Sequence, residues 1–221
     1  PTDLYVADGL ARLLERGHRL RLVPKSDVRS ALDGDTAVLL LTHVDYRTGE
    51  KHDLPAVTRA GHEAGAVVIW DLAHSAGAMP VDLAAADADF AVGCGYKYLC
   101  GGPGAPAFLY VAPRHQEAFR QPLSGWLGHA EPFAFEAGYR PAAGIARALC
   151  GTPPILSMSA LDAALDVILE ADLALVRAKS EALTSFFVEA VEQECGAAVI
   201  LVSPRVPLLR GSQVSFAHPV A

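Results

Sequence analysis

Cysteine is scarce in this sequence, and its spacing excludes two common kinds of site. The 221 residues contain four cysteines, Cys94, Cys100, Cys150 and Cys195. No pair has the C-x2-C spacing that is typical of a zinc site or a redox centre. We therefore expect buried, reduced thiols in a reducing compartment, the cytoplasm.

Charge is also scarce, and no long apolar run occurs. Charged residues make up 19% of the chain against 52% apolar residues, and the net charge is 18 − 25 = −7. This composition excludes a disordered chain, and its acidic balance provides no overall field that would attract nucleic acid. The longest apolar runs, such as 37–41 and 66–70, have about five residues, far short of the roughly 20 that cross a bilayer. We expect neither a nucleic-acid partner nor a membrane partner.

The first residues lack the features of a natural amino terminus. Residues 1–5 contain no initiator Met, and no basic segment followed by an apolar stretch marks a signal peptide. The chain begins as if inside a longer sequence. We therefore expect a fragment of a larger protein.

Short apolar runs alternate with segments of helical period, which predicts an α/β fold with a mostly parallel sheet and helices on both faces. The predicted strands are 36–41, 66–70, 89–95 and 105–112, and the predicted helices are 53–64, 157–171 and 173–194. The short link between the third and fourth strands indicates an antiparallel pair. Segment 121–139 is predicted to be a loop, and segments 197–203 and 212–216 resemble strands of a second, incomplete unit.

Two residues that could take part in chemistry follow neighbouring strands. Asp71 comes directly after an apolar strand, and Lys97 lies between another strand and a Gly-rich turn. In open α/β sheets the ligand crevice lies outside the carboxyl ends of the strands. A lysine there is either a solvated charge or a partly desolvated amine suited to a Schiff base. An amine and a carboxylate meet two needs of pyridoxal phosphate (PLP), which binds through its aldehyde and its pyridine nitrogen and also requires phosphate donors.

Six segments extend this pattern to nearly the whole chain. They are Trp70–Gly77, Gly95–Gly104, His43–Gly49 with His52 and Asp53, Gly125–His129, Gly151–Ser157 and Arg210–Gln213. In their order along the chain they resemble the fold-type-I, class-V aminotransferase-like PLP enzymes, and among them the kynureninase family. The resemblance extends from the first residue to about residue 216.

The resemblance implies a role for five residues of the central part. Lys97 would form the Schiff base with PLP and move the α-proton of the substrate, and Asp71 would face the pyridine N–H. His74 would contact the cofactor, and Thr42 would lie beneath it. Tyr96 would bind the phosphate and also act as an acid/base group.

The first three residues, Pro1, Thr2 and Asp3, resemble the end of a Phe-Pro-Thr-Asp motif at the cofactor ring. Its aromatic residue, which stacks on the ring in that family, is absent from this chain. The family's arginine for the substrate α-carboxylate is expected beyond residue 221. We therefore expect the isolated chain to be a poor catalyst.

The resemblance also implies a homodimer. Trp126 and Thr152 match positions that reach the phosphate in the neighbouring subunit, and both side chains are hydrogen-bond donors. His129 resembles a contact to the aryl ketone of the substrate, although a structural histidine is an equal alternative.

The implied reaction is PLP-dependent hydrolysis of a small amino-acid substrate. L-kynurenine, 3-hydroxykynurenine or both would give anthranilate or 3-hydroxyanthranilate and L-alanine, in the tryptophan catabolism that leads to NAD. The alternatives are another fold-type-I enzyme, such as a cysteine desulfurase or selenocysteine lyase, and a non-catalytic PLP-binding fragment. By the same resemblance, residues 1–160 form the central part of the PLP-binding large domain, and residues 161–221 form connecting helices and the start of a small carboxyl-terminal domain.

Overall fold

The computed structural model describes residues 1–220. Its helices and strands, in chain order, are α1 (Thr2–Leu14), α2 (Val28–Ala31), β1 (Val38–Thr42), α3 (Leu54–Glu63), β2 (Val67–Asp71), β3 (Phe90–Cys94), β4 (Ala107–Val111), α4 (Pro113–Gln116), α5 (Ile155–Glu170), α6 (Leu173–Cys195), β5 (Ile200–Leu201) and β6 (Phe216–Ala217). Among these residues, no helix combines the length and the apolar character needed to cross a membrane.

The main sheet has four strands in the order β1-β2-β3-β4. Strands β1, β2 and β3 are parallel, and β4 is antiparallel to β3, which confirms the predicted mixed sheet. The first strand begins later than predicted because the Thr36 hydroxyl bonds Asp33 (2.9 Å) and accepts a bond from Arg21 (2.9 Å). It also extends to Thr42, which the sequence pattern placed in the following turn.

One face of this sheet packs against α3 and forms the core. Asp53 accepts a hydrogen bond from the backbone N–H of Ala56 (3.1 Å), so it caps α3 as predicted. Trp70 is fully buried, and its indole N–H donates to the Thr58 hydroxyl of α3 (2.9 Å). Because side chains alternate along a strand, Asp71 points to the opposite face from Trp70. The packing of α3 thus fixes which face of the sheet carries Asp71.

A buried carboxylate connects the sheet with α3 and α4. Asp89 is 4% exposed, and its Oδ2 accepts from the Val68 N–H (2.8 Å) and lies 2.8 Å from His62 Nε2. Its Oδ1 accepts from Arg114 (2.6 Å) and lies 2.6 Å from His115 Nε2. This arrangement gives both histidines a structural role.

The carboxyl-terminal strands are shorter than predicted, and β5 pairs with β6 through two residue pairs. The nearby Arg210 is 1% exposed, and its guanidinium donates to the carbonyls of Pro204 (3.0 Å) and Arg205 (2.6 Å) and to Thr184 (3.1 Å). These hydrogen bonds therefore replace those to water that the guanidinium loses on burial. The division at residue 160 stays a prediction.

The expectation of buried thiols is wrong, since none of the four cysteines is fully buried. Cys94, the last residue of β3, is half-buried, whereas Cys100, Cys150 and Cys195 are exposed. The exposed three lie in a Gly-rich turn, in a loop and at the end of α6, outside the apolar core. All four are free.

Candidate functional site

The carboxyl ends of the parallel strands bring three predicted site residues to one edge of the sheet. Thr42 and Asp71 are direct partners in the β1–β2 register, and Lys97 follows the end of β3 by three residues. The backbone N–H of Ala73 donates to Asp71 Oδ1 (2.8 Å), which orients the carboxylate. The parallel pairing of β2 with β3 therefore places Asp71 and Lys97 at the same edge of the sheet, as predicted.

His74 lies beside the lysine. Lys97 Nζ is 3.1 Å from His74 Nε2, within hydrogen-bond distance. Burial, reinforced by the positive charge of Lys97 and opposed by Asp45, lowers the pKa of His74. A neutral imidazole can accept a hydrogen bond from the Lys97 ammonium, whereas an imidazolium would repel it. His74 Nδ1 is buried and has no hydrogen-bond partner within residues 1–220.

Tyr96 and Asp3 complete this group, which we call the Lys97 centre: Asp3, Thr42, Asp71, His74, Tyr96 and Lys97. Lys97 Nζ lies 5.6 Å from the centre of the half-exposed Tyr96 ring. Burial and the neighbouring Asp71 carboxylate raise the pKa of Asp3, against the opposing effects of the amino terminus and the Thr42 hydroxyl. Asp3 thus takes up a proton more readily than an ordinary aspartate.

Pro1 and Thr2 are exposed at the start of α1, the helix that carries Asp3. Neither makes a side-chain hydrogen bond within the described part of the chain. Their contribution to a cofactor site stays a prediction, whereas Asp3 itself lies beside Asp71 and Thr42.

The chemistry of the Lys97 centre fits PLP. It offers an amine for an aldehyde, a carboxylate for a protonated pyridine nitrogen, and hydroxyl and imidazole groups around them. The unpartnered Nδ1 of His74 provides a further polar atom at the same place. Residues 1–220 contain no cluster of three or more potential metal ligands.

Trp126 lies next to the segment that carries Thr152. Trp126 occupies a single 3-10 turn, Trp126–Gly128, and is 45% exposed. A Cβ placed on Gly151 would lie 3.8 Å from the Trp126 indole nitrogen, and the exposed Thr152 is the next residue. No side-chain hydrogen bond within residues 1–220 joins either residue to Lys97. The Trp126 ring instead packs edge-to-face on Phe133, with ring centroids 5.7 Å apart.

His129 is buried inside its own loop. Its Nδ1 accepts from the Glu131 N–H (3.0 Å), so the remaining proton on Nε2 can be donated to the Gly138 carbonyl (3.2 Å). With both ring nitrogens engaged, the structural alternative is favoured over a contact to a substrate.

Two residues at the site had no predicted role, Tyr46 and Gln213. The Tyr46 ring stacks on His74 with centroids 6.4 Å apart and planes inclined by 29°. Gln213 Nε2 donates to the Tyr46 carbonyl (2.6 Å). Both residues lie in segments that resemble the family, and this was the only sign in the sequence that they matter. Their contact with each other is visible only in the structure.

Comparisons with known proteins agree with this geometry. The sequence model of the family described as aminotransferase class-V matches residues 15–218. The chain is 57% identical over 221 residues to the kynureninase of Burkholderia mallei (strain SAVP1) and 55% identical to that of Pseudomonas fluorescens. Each alignment covers 99% of this chain and 53% of the relative. The chain thus spans about half the length of these curated relatives.

Among solved structures, the apo cysteine desulfurase of Thermococcus onnurineus NA1 has a similar fold. The TM-score is 0.80 at 24% identity, over 98% of this chain and 54% of the other. At this identity the likeness supports the fold alone.

Proposed function

Since the chain belongs to the aminotransferase class-V family, we propose that it carries the PLP-binding centre of a kynureninase. The observation that carries the proposal is the contact of Lys97 Nζ with the neutral His74 (3.1 Å), at the same sheet edge as Asp71. The identity of 55–57% with kynureninases over 99% of the chain favours this activity over others in the family.

Bound PLP supplies an electron sink that stabilises negative charge next to the substrate nitrogen. Lys97 would hold it through its amine, and Asp71 would keep the pyridine nitrogen protonated. His74 and Thr42 would provide polar contacts near the ring, and Asp3 would hold a proton beside Asp71.

The reaction consumes water and cleaves one C–C bond, so that L-kynurenine gives anthranilate and L-alanine. Lys97, once its amine is free, would accept the α-proton of the substrate and return it. His74 supports this role because a neutral imidazole beside the amine adds no positive charge at 3.1 Å. The exposed Tyr96 hydroxyl would bind the phosphate or donate a proton. The same steps would apply to 3-hydroxykynurenine.

A homodimer fits the placement of two donors. The exposed Trp126 indole N–H and Thr152 hydroxyl would bind the phosphate in the neighbouring subunit. The four free thiols, three of them exposed, suit a reducing compartment, and we propose a cytoplasmic location.

The cofactor assignment is tested on the chain itself. The purified protein is incubated with PLP and reduced with borohydride, and the modified residue is located by mass spectrometry. We expect modification at Lys97 and its loss in Lys97→Arg. Equal modification of the half-buried Lys51 would indicate non-specific reaction and contradict the assignment.

The reaction is tested in a chimera in which this chain replaces the matching 221 residues of the Pseudomonas fluorescens kynureninase. We expect anthranilate release from L-kynurenine, followed by fluorescence, with the isolated chain much slower. Cysteine and selenocysteine are offered in parallel. Release of sulfide or selenide without anthranilate would favour the desulfurase or lyase alternative, and PLP attachment without any turnover would favour a non-catalytic fragment.

A further inference from the structure

We propose that Tyr46 and Gln213 form a positioning pair. Together they hold His74 where it can accept a hydrogen bond from Lys97, and so they act on Lys97 through His74. Gln213 holds the backbone of Tyr46, and the Tyr46 ring covers His74. The catalytic meaning of this pair rests on the proposed function. Its effect on His74 can be measured on the chain without a cofactor.

The Tyr46 ring covers one side of the His74 imidazole. The two rings are stacked at 6.4 Å, while Tyr46 itself is 46% exposed. An aromatic ring in this position excludes water from one side of the imidazole, and desolvation disfavours its charged form. The cover therefore helps to keep His74 neutral.

The turn that carries Tyr46 is fixed by its own hydrogen bonds. Asp45 Oδ1 accepts from the backbone N–H groups of Arg47 (2.8 Å) and Thr48 (2.8 Å), an Asx-type turn. Gly49 closes it with a φ of +70°, and its N–H donates to the Asp45 carbonyl (2.8 Å). These bonds fix the shape of the turn. The position of the Tyr46 ring therefore depends on how the turn as a whole is oriented against the sheet edge.

That orientation is set by a segment more than 160 residues later. Gln213 Nε2 donates to the Tyr46 carbonyl (2.6 Å), and the Gly211 N–H donates to the Gly49 carbonyl (2.7 Å). A Cβ on Gly49 would lie 2.8 Å from the Gln213 carbonyl oxygen, so the two segments are in close backbone contact. Gln213 thus anchors the turn against movement away from His74.

The charged groups that face His74 are Lys97 and Asp45, and their effects oppose each other. The Lys97 ammonium disfavours a second positive charge 3.1 Å away, whereas Asp45 favours it. Burial decides the balance, and Tyr46 contributes part of that burial. Without the Tyr46 ring, His74 would bind a proton more readily, and the protonated imidazole can no longer accept a hydrogen bond from Lys97.

The test is an NMR titration of the His74 imidazole in the isolated chain, with the signal assigned by its loss in His74→Gln. In Tyr46→Ala we expect the pKa of His74 to rise toward its ordinary value of 6.5. Tyr46→Phe keeps the ring and should leave the pKa unchanged. An unchanged pKa in Tyr46→Ala would overturn the proposal.

Gln213 is tested with a matched control. Gln213→Met keeps the length of the side chain without its donor and should raise the pKa of His74 less than Tyr46→Ala does. The control, Gln116→Ala, removes a similar bond to the Val111 carbonyl (3.0 Å). An equal shift in this control would attribute the effect to general loosening and reject the positioning role.

Catalysis provides a second measurement. In the chimera, Tyr46→Ala should shift the acid limb of the kcat profile to higher pH and reduce kcat by up to about a hundredfold, with KM little changed. If PLP does not attach to Lys97, the proposed function fails while the His74 titration still tests this pair. If PLP attaches and His74 titrates unchanged in Tyr46→Ala, this inference fails alone.

Discussion

Replacing Asp89 by asparagine should lower the free energy of unfolding by about 3–5 kcal/mol at pH 7, the cost of breaking a buried charge network. Each carboxylate oxygen faces a donor whose direction is fixed, the Val68 N–H at Oδ2 and Arg114 at Oδ1. An asparagine must turn its NH2 group toward one of these donors in either orientation. Hydrogen bonds to charged groups contribute about 1.5–3 kcal/mol each, so losing two gives a cost of this size.

The cost should also depend on pH. Burial by itself would raise the pKa of Asp89, but hydrogen bonds from Val68, His115, His62 and Arg114 outweigh it and hold the pKa well below the usual range. A carboxyl with a lowered folded-state pKa stabilises the fold above its unfolded pKa of about 3.9 and loses this effect as the pH falls through the folded-state pKa. The difference between wild type and variant should therefore shrink below about pH 4.

Urea unfolding followed by circular dichroism, repeated from pH 7 to about pH 3, measures both effects. The exposed Asp166 on α5 provides the control, and Asp166→Asn should change stability by less than about 0.5 kcal/mol. A loss below about 1 kcal/mol for Asp89→Asn at pH 7, or a loss that stays constant at low pH, would refute this reasoning.

Three further substitutions test the core, a loop and the site. Trp70→Phe removes the indole bond to Thr58 and leaves a void, so we expect a loss of about 1–3 kcal/mol in urea unfolding; no loss would contradict the importance of this contact. Gly125→Ala places a Cβ 1.8 Å from a backbone oxygen and should cost about 1–3 kcal/mol in the same assay, whereas Gly138→Ala, with open space around it, should cost little. Asp71→Ala in the chimera should lose most anthranilate release while PLP still attaches to the lysine, and near-normal turnover would exclude its role at the pyridine nitrogen.

The sequence predicted the main sheet well because its signals are local. The four apolar runs became strands within about two residues, and Asp53 caps α3 by bonding a backbone N–H three residues away. Parallel pairing then brought Thr42 and Asp71 into register, which is a consequence of strand direction and length. The central part of the site could therefore be inferred from position in the chain.

Features that depend on distant contacts were not predicted. Helix α1 buries none of its residues, and we predicted no element for residues 2–14. The burial of Arg210 depends on carbonyls and hydroxyls brought together by the fold. The contact of Gln213 with Tyr46 joins residues 167 positions apart, and no local pattern encodes it.

This contact has a consequence for synthesis in the cell. A ribosome adds about 5–20 residues per second, so the 167 positions between Tyr46 and Gln213 correspond to roughly 8–33 s of translation. During that interval the sheet edge with Thr42 and Asp71 can form, but the turn carrying Tyr46 has no distant anchor. The nascent chain thus contains His74 and Lys97 well before the segment that holds the turn in place, so the sheet edge and its distant anchor form as separate events in time.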